Sequence, residues 1–329
     1  MTPPPSRPAA TGRPARPART VFFGSGTFAV PILRVLLHSQ GVEVVGVVAP
    51  PDRAAGRRAE PTPVPVAAEA RRGGLTLLQP ERVRAPETAA AIAALEPDVG
   101  VLADFGQIVP ASILAIPRHG ILNVHPSLLP RHRGATPVAA TILAGDPEAG
   151  VSVMAMDEGL DTGPLLGSRR WPLDGTETAP ALEGRAAEEG AALLGELLEP
   201  WLRGELTAVP QAASQATLTR PLGRADGALD PRHPAVALER QVRAYQPWPG
   251  SFVETPTGRL AILLAAVAPA APGDVPGTLL ADGDGLALAT AAGRLRLLEV
   301  RPAGGRAMSG AAFRRGRPSL VGASISAPA

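Results

Sequence analysis

Between residues 21 and 156, short runs rich in Val, Ile, Leu and Phe alternate with segments whose apolar residues recur at helical spacing. The runs fall at 21–23, 42–48, 75–78, 99–103, 120–124 and 151–156. The helical segments fall at 28–37, 66–72, 86–95, 110–116 and 137–143. A strand that is apolar at every position must be covered on both faces, and helices on either side of a parallel sheet provide that cover. The alternation therefore predicts an α/β fold with a doubly wound, mostly parallel sheet. Ligands of such sheets bind beyond the carboxyl ends of the strands. The segments after Phe23, Val48, Ala103, Val124 and Met156 are thus the places to look for chemistry.

The pattern changes further on. Residues 179–198 read as a long Ala-, Glu- and Leu-rich helix, and 200–218 as a surface linker. Short runs at 251–254, 260–266, 278–281, 286–290 and 294–300 are then separated by Gly, Asp and Pro, the spacing of a small OB-like β-barrel. The expected organisation is a disordered tail over 1–20, an α/β domain over 21–205, a linker over 206–217, a β-barrel domain over 218–320 and a loose tail over 321–329. The first 20 residues carry four Arg and no acid, and they lack apolar periodicity.

Composition narrows the class. The chain has no cysteine, which excludes a disulfide framework, a thiolate zinc site and a catalytic thiol, and suits a reducing cytoplasm. No run approaches 18 charge-free apolar residues, so no membrane span and no membrane partner are expected. All 32 basic residues are Arg, yet the net charge is only +2. The charge is unevenly placed: −7 over residues 21–205 and +5 over 206–329. A basic C-terminal part suits a polyanionic partner.

Four stretches carry chemistry. Gly24-x-Gly26-x-x-Ala29 has the context of a dinucleotide fingerprint, but the second strand ends in Val48-Ala49-Pro50 with no ribose-binding acid. A glycine turn that lets strand and helix pack closely is the favoured reading. In NVHPSLLP, Asn123 and His125 end a strand two positions apart, so both side chains leave on one face. The amide suits a developing oxyanion and the imidazole suits proton transfer near neutral pH. MDEGLDTG follows another strand end, and Asp161 or Asp157 brought to His125 would orient its ring. Finally, PDRAAGRR bears Arg53, Arg57 and Arg58, whose forked guanidinium groups suit phosphate. No histidine pairing suggests a metal site.

Together FFGSGTFAVP, PDRAAGR, NVHPSLLPRHRG, MDEGLDTG and RAYQPWPGSF, in this order over roughly residues 20–310, resemble the folate-dependent formyltransferases, in the branch that acts on methionyl-tRNA. The resemblance implies transfer of formyl from 10-formyltetrahydrofolate to the α-amino group of methionyl initiator tRNA, for translation initiation. It implies Asn123, His125 and Asp161 as the catalytic set. It implies Ser127, Leu128, Leu129 and Pro130 as the folate-binding loop, and Arg53, Arg57 and Arg58 as contacts to the acceptor end of the tRNA. The C-terminal barrel is then a tRNA-binding domain. A cytoplasmic monomer without metal is expected. The chain departs from the family pattern in places: Asp104 stands where a small apolar residue is usual, Pro65 where Lys is common, GSGTF replaces the usual Gly-Thr-Pro-type turn, and the lysine-rich linker has only scattered Arg203, Arg220 and Arg224. The alternative is a folate-dependent formyltransferase acting on an amino-sugar nucleotide or another small amine.

Overall fold

The computed structural model describes residues 16–55 and 60–325, with the backbone alone at 53–55 and 60. The elements of the first part are β1 (Ala18–Gly24), α1 (Ala29–His38), β2 (Val42–Val48), β3 (Arg53–Ala55), β4 (Glu60–Thr62), α2 (Pro65–Arg72), β5 (Leu77–Leu78) and α3 (Pro86–Ala93). Then come β6 (Val99–Ala103), α4 (Ala111–Leu114), β7 (Ile121–His125), β8 (Arg133–Gly134), α5 (Pro137–Ala144), β9 (Glu148–Ala155), β10 (Leu165–Pro172), α6 (Ala179–Leu202) and β11 (Leu218–Thr219). The last part holds α7 (Ala235–Ala244), β12 (Ser251–Thr255), β13 (Gly258–Ala268), β14 (Leu279–Asp282), β15 (Gly285–Ala289), β16 (Arg294–Pro302), β17 (Met308–Ser309) and α8 (Gly310–Gly316).

The main sheet has the order β10-β9-β7-β6-β1-β2-β5. Strands β2, β1, β6 and β7 run parallel, and β9 pairs antiparallel with β7. β6 and β7 are buried throughout, which is why they read as apolar runs, interrupted only by Asn123 and His125 at the end of β7. β1 lies between β2 and β6, so the chain order reverses there and a crevice opens at the carboxyl ends of β1 and β6. Beneath it pack Val21, Phe23, Leu102, Phe105, Ile113 and Ile121, with Phe23 and Phe105 edge to face at 5.6 Å.

The C-terminal sheet is antiparallel in the order β12-β13-β16-β15-β14, with β17 added on β16. Its inner side chains, among them Leu260, Ile262, Leu288, Leu295, Leu297 and Val300, pack with Leu238 and Val242 of α7 and Phe313 of α8. The chain divides into two compact units. The first runs through Pro137 and takes in Glu148–Trp171 and Glu183–Thr219; the second comprises Val138–Pro147, Pro172–Leu182 and the chain from Arg220.

Several expectations change. β1 begins at Ala18, so residues 18–20 are strand and not tail. Asp98 anchors the start of this strand, accepting from Arg19 N at 2.9 Å and pairing with Arg16 at 2.9 Å. Residues 1–15 and 326–329 lie outside the described residues. Residues 321–325 are tied down: Ile325 N donates to Gly277 O at 2.8 Å and Leu279 N to Ala323 O at 2.9 Å. The stretch expected to be a linker is stitched to the first unit, because Leu165 and Val209 exchange two 2.8 Å bonds and β11 pairs with β8. The compact units consequently part after Thr219. β10, α7 and the β3–β4 hairpin are elements that the sequence pattern does not announce. No described helix is long and apolar enough to cross a membrane.

Candidate active site

Asn123 and His125 leave the end of β7 on one face, as the two-residue period requires, and both reach Asp161. The segment carrying Asp161 departs from β9 and returns at once, with Ala155 N donating to Pro164 O at 2.9 Å. The return is so close that a Cβ on Gly163 would overlap the carbonyl of Ala155. Asp161 itself takes φ of +53°, a conformation that Asp tolerates better than most side chains. Its carboxylate accepts from Asn123 Nδ2 at 3.2 Å through Oδ1 and from Gly134 N at 2.7 Å through Oδ2. Gln211 Nε2 donates to the carbonyls of Asp161 and Gly163 at 2.9 and 2.7 Å, clamping the loop from the supposed linker.

His125 is buried, and its Nε2 lies 3.0 Å from the carbonyl of His132. A carbonyl only accepts, so Nε2 carries the proton and donates. Nδ1 is then the ring position free to take up or give a proton. It lies 3.8 Å from Asp161 Oδ2, too far for a direct hydrogen bond and close enough for charge attraction. Asn123 spends one N–H on Asp161, and the other has no acceptor among the described residues. The three side chains form one unit with a free donor and a free proton site.

The SLLP loop divides into structural and available parts. The Ser127 hydroxyl donates to Arg131 O at 2.7 Å, and Ser127 is almost wholly buried. Leu129 is buried too, and its N–H donates to Ser152 Oγ at 3.2 Å. Leu128 and Pro130 retain partial exposure, and Leu128 lies over Gly150 of β9. The side chains of Ser127 and Leu129 therefore shape the loop, and Leu128 and Pro130 face outward. Asp157, the competing carboxylate, caps its own turn by accepting from Gly159 N at 3.0 Å and Thr162 Oγ1 at 2.6 Å. Arg57 and Arg58 lie outside the described residues, and for Arg53 only its backbone in β3 is described.

At the crevice between β1 and β6, Asp104 follows β6 with φ of +45°. Its carboxyl takes the space a Cβ on Gly26 would need and accepts from the Gly26 N–H. Although Asp104 retains solvent-accessible surface, the protein atoms crowding its carboxyl, then the charge of Glu183, raise it to about 6. Thr27 Oγ1 holds Glu183 at 2.9 Å. The glycine turn is thus occupied by protein, which supports close packing over dinucleotide binding there.

Sequence reasoning missed His132, Gly134, Gln211 and Ser152. The first two act through backbone groups, which leave no mark on residue type. Gln211 sat in a stretch read as linker. Ser152, fully buried on β9, donates to Ser127 O at 2.8 Å, and an isolated Ser in an apolar run was its only sign.

The family model for formyl transferase matches residues 18–198, and that for the formyl transferase C-terminal domain matches residues 221–318. The methionyl-tRNA formyltransferase of Roseiflexus sp. (strain RS-1) is 45% identical over 301 residues, covering 91% of this chain and 93% of that protein. That of Thermus thermophilus is 44% identical over 299 residues, covering 91% and 96%. Among solved structures, HypX from Aquifex aeolicus in complex with tetrahydrofolic acid has a TM-score of 0.61 at 17% identity, covering 90% of this chain and 47% of that one. At that identity the likeness is one of fold. The sequence match spans both units and carries the Asn123–His125–Asp161 unit within its N-terminal part, so the chain belongs to the formyl transferase family.

Proposed function

We propose that this enzyme transfers the formyl group of 10-formyltetrahydrofolate to the α-amino group of methionyl initiator tRNA, for translation initiation. The observation that carries the reaction is the convergence of Asn123, His125 and Asp161, with Asn123 hydrogen-bonded to the Asp161 carboxylate at 3.2 Å and His125 Nδ1 3.8 Å from it. The naming of relatives matched over 91% of the chain supports the substrate. The folate co-substrate supplies the formyl group, and its nitrogen that loses the formyl carbon takes up the proton that the amine gives up.

This chain's residues supply the rest. The free N–H of Asn123 Nδ2 stabilises the formyl oxygen as charge builds there when the amine attacks. His125 Nδ1 takes the proton that the attacking amine must lose and returns it to the leaving nitrogen, directly or through water. Asp161 fixes the Asn123 amide and faces the imidazolium formed in transit. Leu128 and Pro130 offer a preset apolar edge to the folate, on a loop that Ser127 and Ser152 hold. Arg53, Arg57 and Arg58 meet the acceptor end of the tRNA in this reading, and the C-terminal unit takes more of the RNA. The reading has a cytoplasmic, monomeric enzyme and assigns no role to a metal.

The deciding experiment mixes the purified protein with 10-formyltetrahydrofolate and methionyl initiator tRNA. A blocked methionyl amine is expected. Transfer to an amino-sugar nucleotide, with charged tRNA left untouched, would instead support the alternative substrate.

A further inference from the structure

The C-terminal sheet carries a shallow cleft of about 210 Å³, lined by Arg259, Ala261 and Arg301 and by the turn Pro302–Gly305. The strand pattern puts both guanidinium groups on its outer face. Leu260, Ile262 and Val300 point into the core, so Arg259 and Arg301, each next to one of them, point out. Register keeps them close, because Leu260 faces Pro302 and Ala261 faces Arg301. Arg259 is held in place. Its guanidinium lies 3.8 Å from the centre of the Phe252 ring, and its Nε donates to Glu254 Oε1 at 2.7 Å.

Arg301 differs. It is exposed and has no carboxylate partner among the described residues, and neither has Arg306 just past the turn. Most other arginines on these strands are matched: Arg294 pairs with Asp274 at 2.6 Å and Arg296 with Asp282 at 2.5 Å. Gly304 turns at φ of +69°, its neighbours Ala303 and Gly305 use their N–H groups internally, and its own N–H has no acceptor among the described residues. One fixed guanidinium, one unmatched guanidinium and the turn with the exposed Gly304 thus line an open cleft, with Arg306 next in sequence and with Glu254 and Glu299, the latter on the strand face of Arg301, as the offsetting charges. A wide, shallow shape with forked donors suits the backbone of a polyanion. We propose that this cleft is a phosphodiester-binding position for the RNA substrate, with Arg301 as its free cation and Arg259 as its fixed one. The inference rests on the tRNA reading above and deepens it.

The test uses the full chain and deacylated initiator tRNA, with affinity measured across a range of KCl concentrations. Arg301→Ala should weaken binding about three- to tenfold and reduce the slope of log affinity against log salt by about 1. Arg301→Lys keeps the charge and should restore most of the slope. Arg315→Ala removes an exposed charge elsewhere on the same unit and should leave the slope at its wild-type value. Melting temperatures of all variants should stay at the wild-type value. A wild-type slope in Arg301→Ala overturns the cleft alone. An equal loss in Arg315→Ala makes the effect one of overall charge and also overturns it. A wild-type protein that binds no tRNA overturns the substrate reading and the cleft with it.

Discussion

Asp161 must accept from two donors at once, Asn123 Nδ2 and Gly134 N, and only a carboxylate does so with both oxygens. Asp161→Asn keeps the shape but turns one position into a donor, which then faces a donor, and it removes the charge opposite His125. We expect turnover to fall about 10²–10⁴-fold, with folate affinity changed little. Steady-state turnover at saturating tRNA, beside folate binding by calorimetry, checks this; activity within threefold of wild type would remove Asp161 from the proposed catalytic set. Asp104 makes a different prediction. Its carboxyl, raised to about 6 by burial and then by Glu183, prefers its proton more in the folded than in the unfolded chain. Its contribution is therefore complete below about pH 4 and is lost as the pH rises through about 6. Above that range Asp104→Asn, which also suits φ of +45°, should be the more stable protein. The full displacement would be worth about 3 kcal/mol, and solvent access to this residue cuts the expected gain to about 1 kcal/mol. Urea titrations at pH 4, 5 and 7 should show the two proteins diverging as the pH rises, and parallel curves would mean that Asp104 is freely solvated.

At the scale of elements, the site depends on short pieces as much as on the sheet. β8 is two residues long, yet Gly134 in it donates to Asp161 and pairs beside Thr219 of β11. Gly134 takes φ of +105°, and a Cβ there would meet the carbonyl of Thr219, so no other residue fits without strain. Gly134→Ala should cost on the order of 1–3 kcal/mol and lower turnover even when assayed well below the melting temperature. Unchanged melting and turnover would show that this strap is soft. The same strap explains what the sequence could and could not disclose. β6 and the start of β7 were legible because burial on both faces leaves apolar residues there, and Asn123 and His125 stood out as the polar end of that run. The shared face of Asn123 and His125 followed from the two-residue period. That Asp161, and not Asp157, meets His125 depends on how a loop returns, and only the family resemblance singled it out. β10 was missed because Ser168 and Arg170 lie exposed along it and break the apolar run. α7 was missed because its buried Leu238 and Val242 are a single helical pair between proline- and glycine-rich turns. The strap itself is Gln, Thr and backbone, which resembles a linker until its partners are known.

For the whole molecule, the consequential fact is that the compact units do not match stretches of sequence. The C-terminal unit takes in Val138–Pro147 and Pro172–Leu182 along with everything from Arg220. Arg243 of α7 shows what this costs a truncated chain. It is buried, pairs with Glu239 at 2.7 Å and donates to the carbonyl of Glu177 at 2.8 Å. A fragment spanning residues 220–325 keeps Glu239 but loses Glu177, leaving a buried charged donor short of one acceptor. Such a loss is worth about 1–3 kcal/mol, and the fragment also uncovers whatever apolar surface Val138, Ile142 and Leu182 cover. We therefore expect slow-exchanging amides of β13 and β16 to be protected about tenfold less in the fragment than in the full chain, a ratio of about 1.4 kcal/mol. Hydrogen exchange on both proteins decides the matter: equal protection would mean that the two inserted segments contribute no stability. With reduced protection, weak RNA binding by the fragment would report a loosened sheet, which is why the +5 charge of residues 206–329 has to be tested for RNA affinity on the full chain.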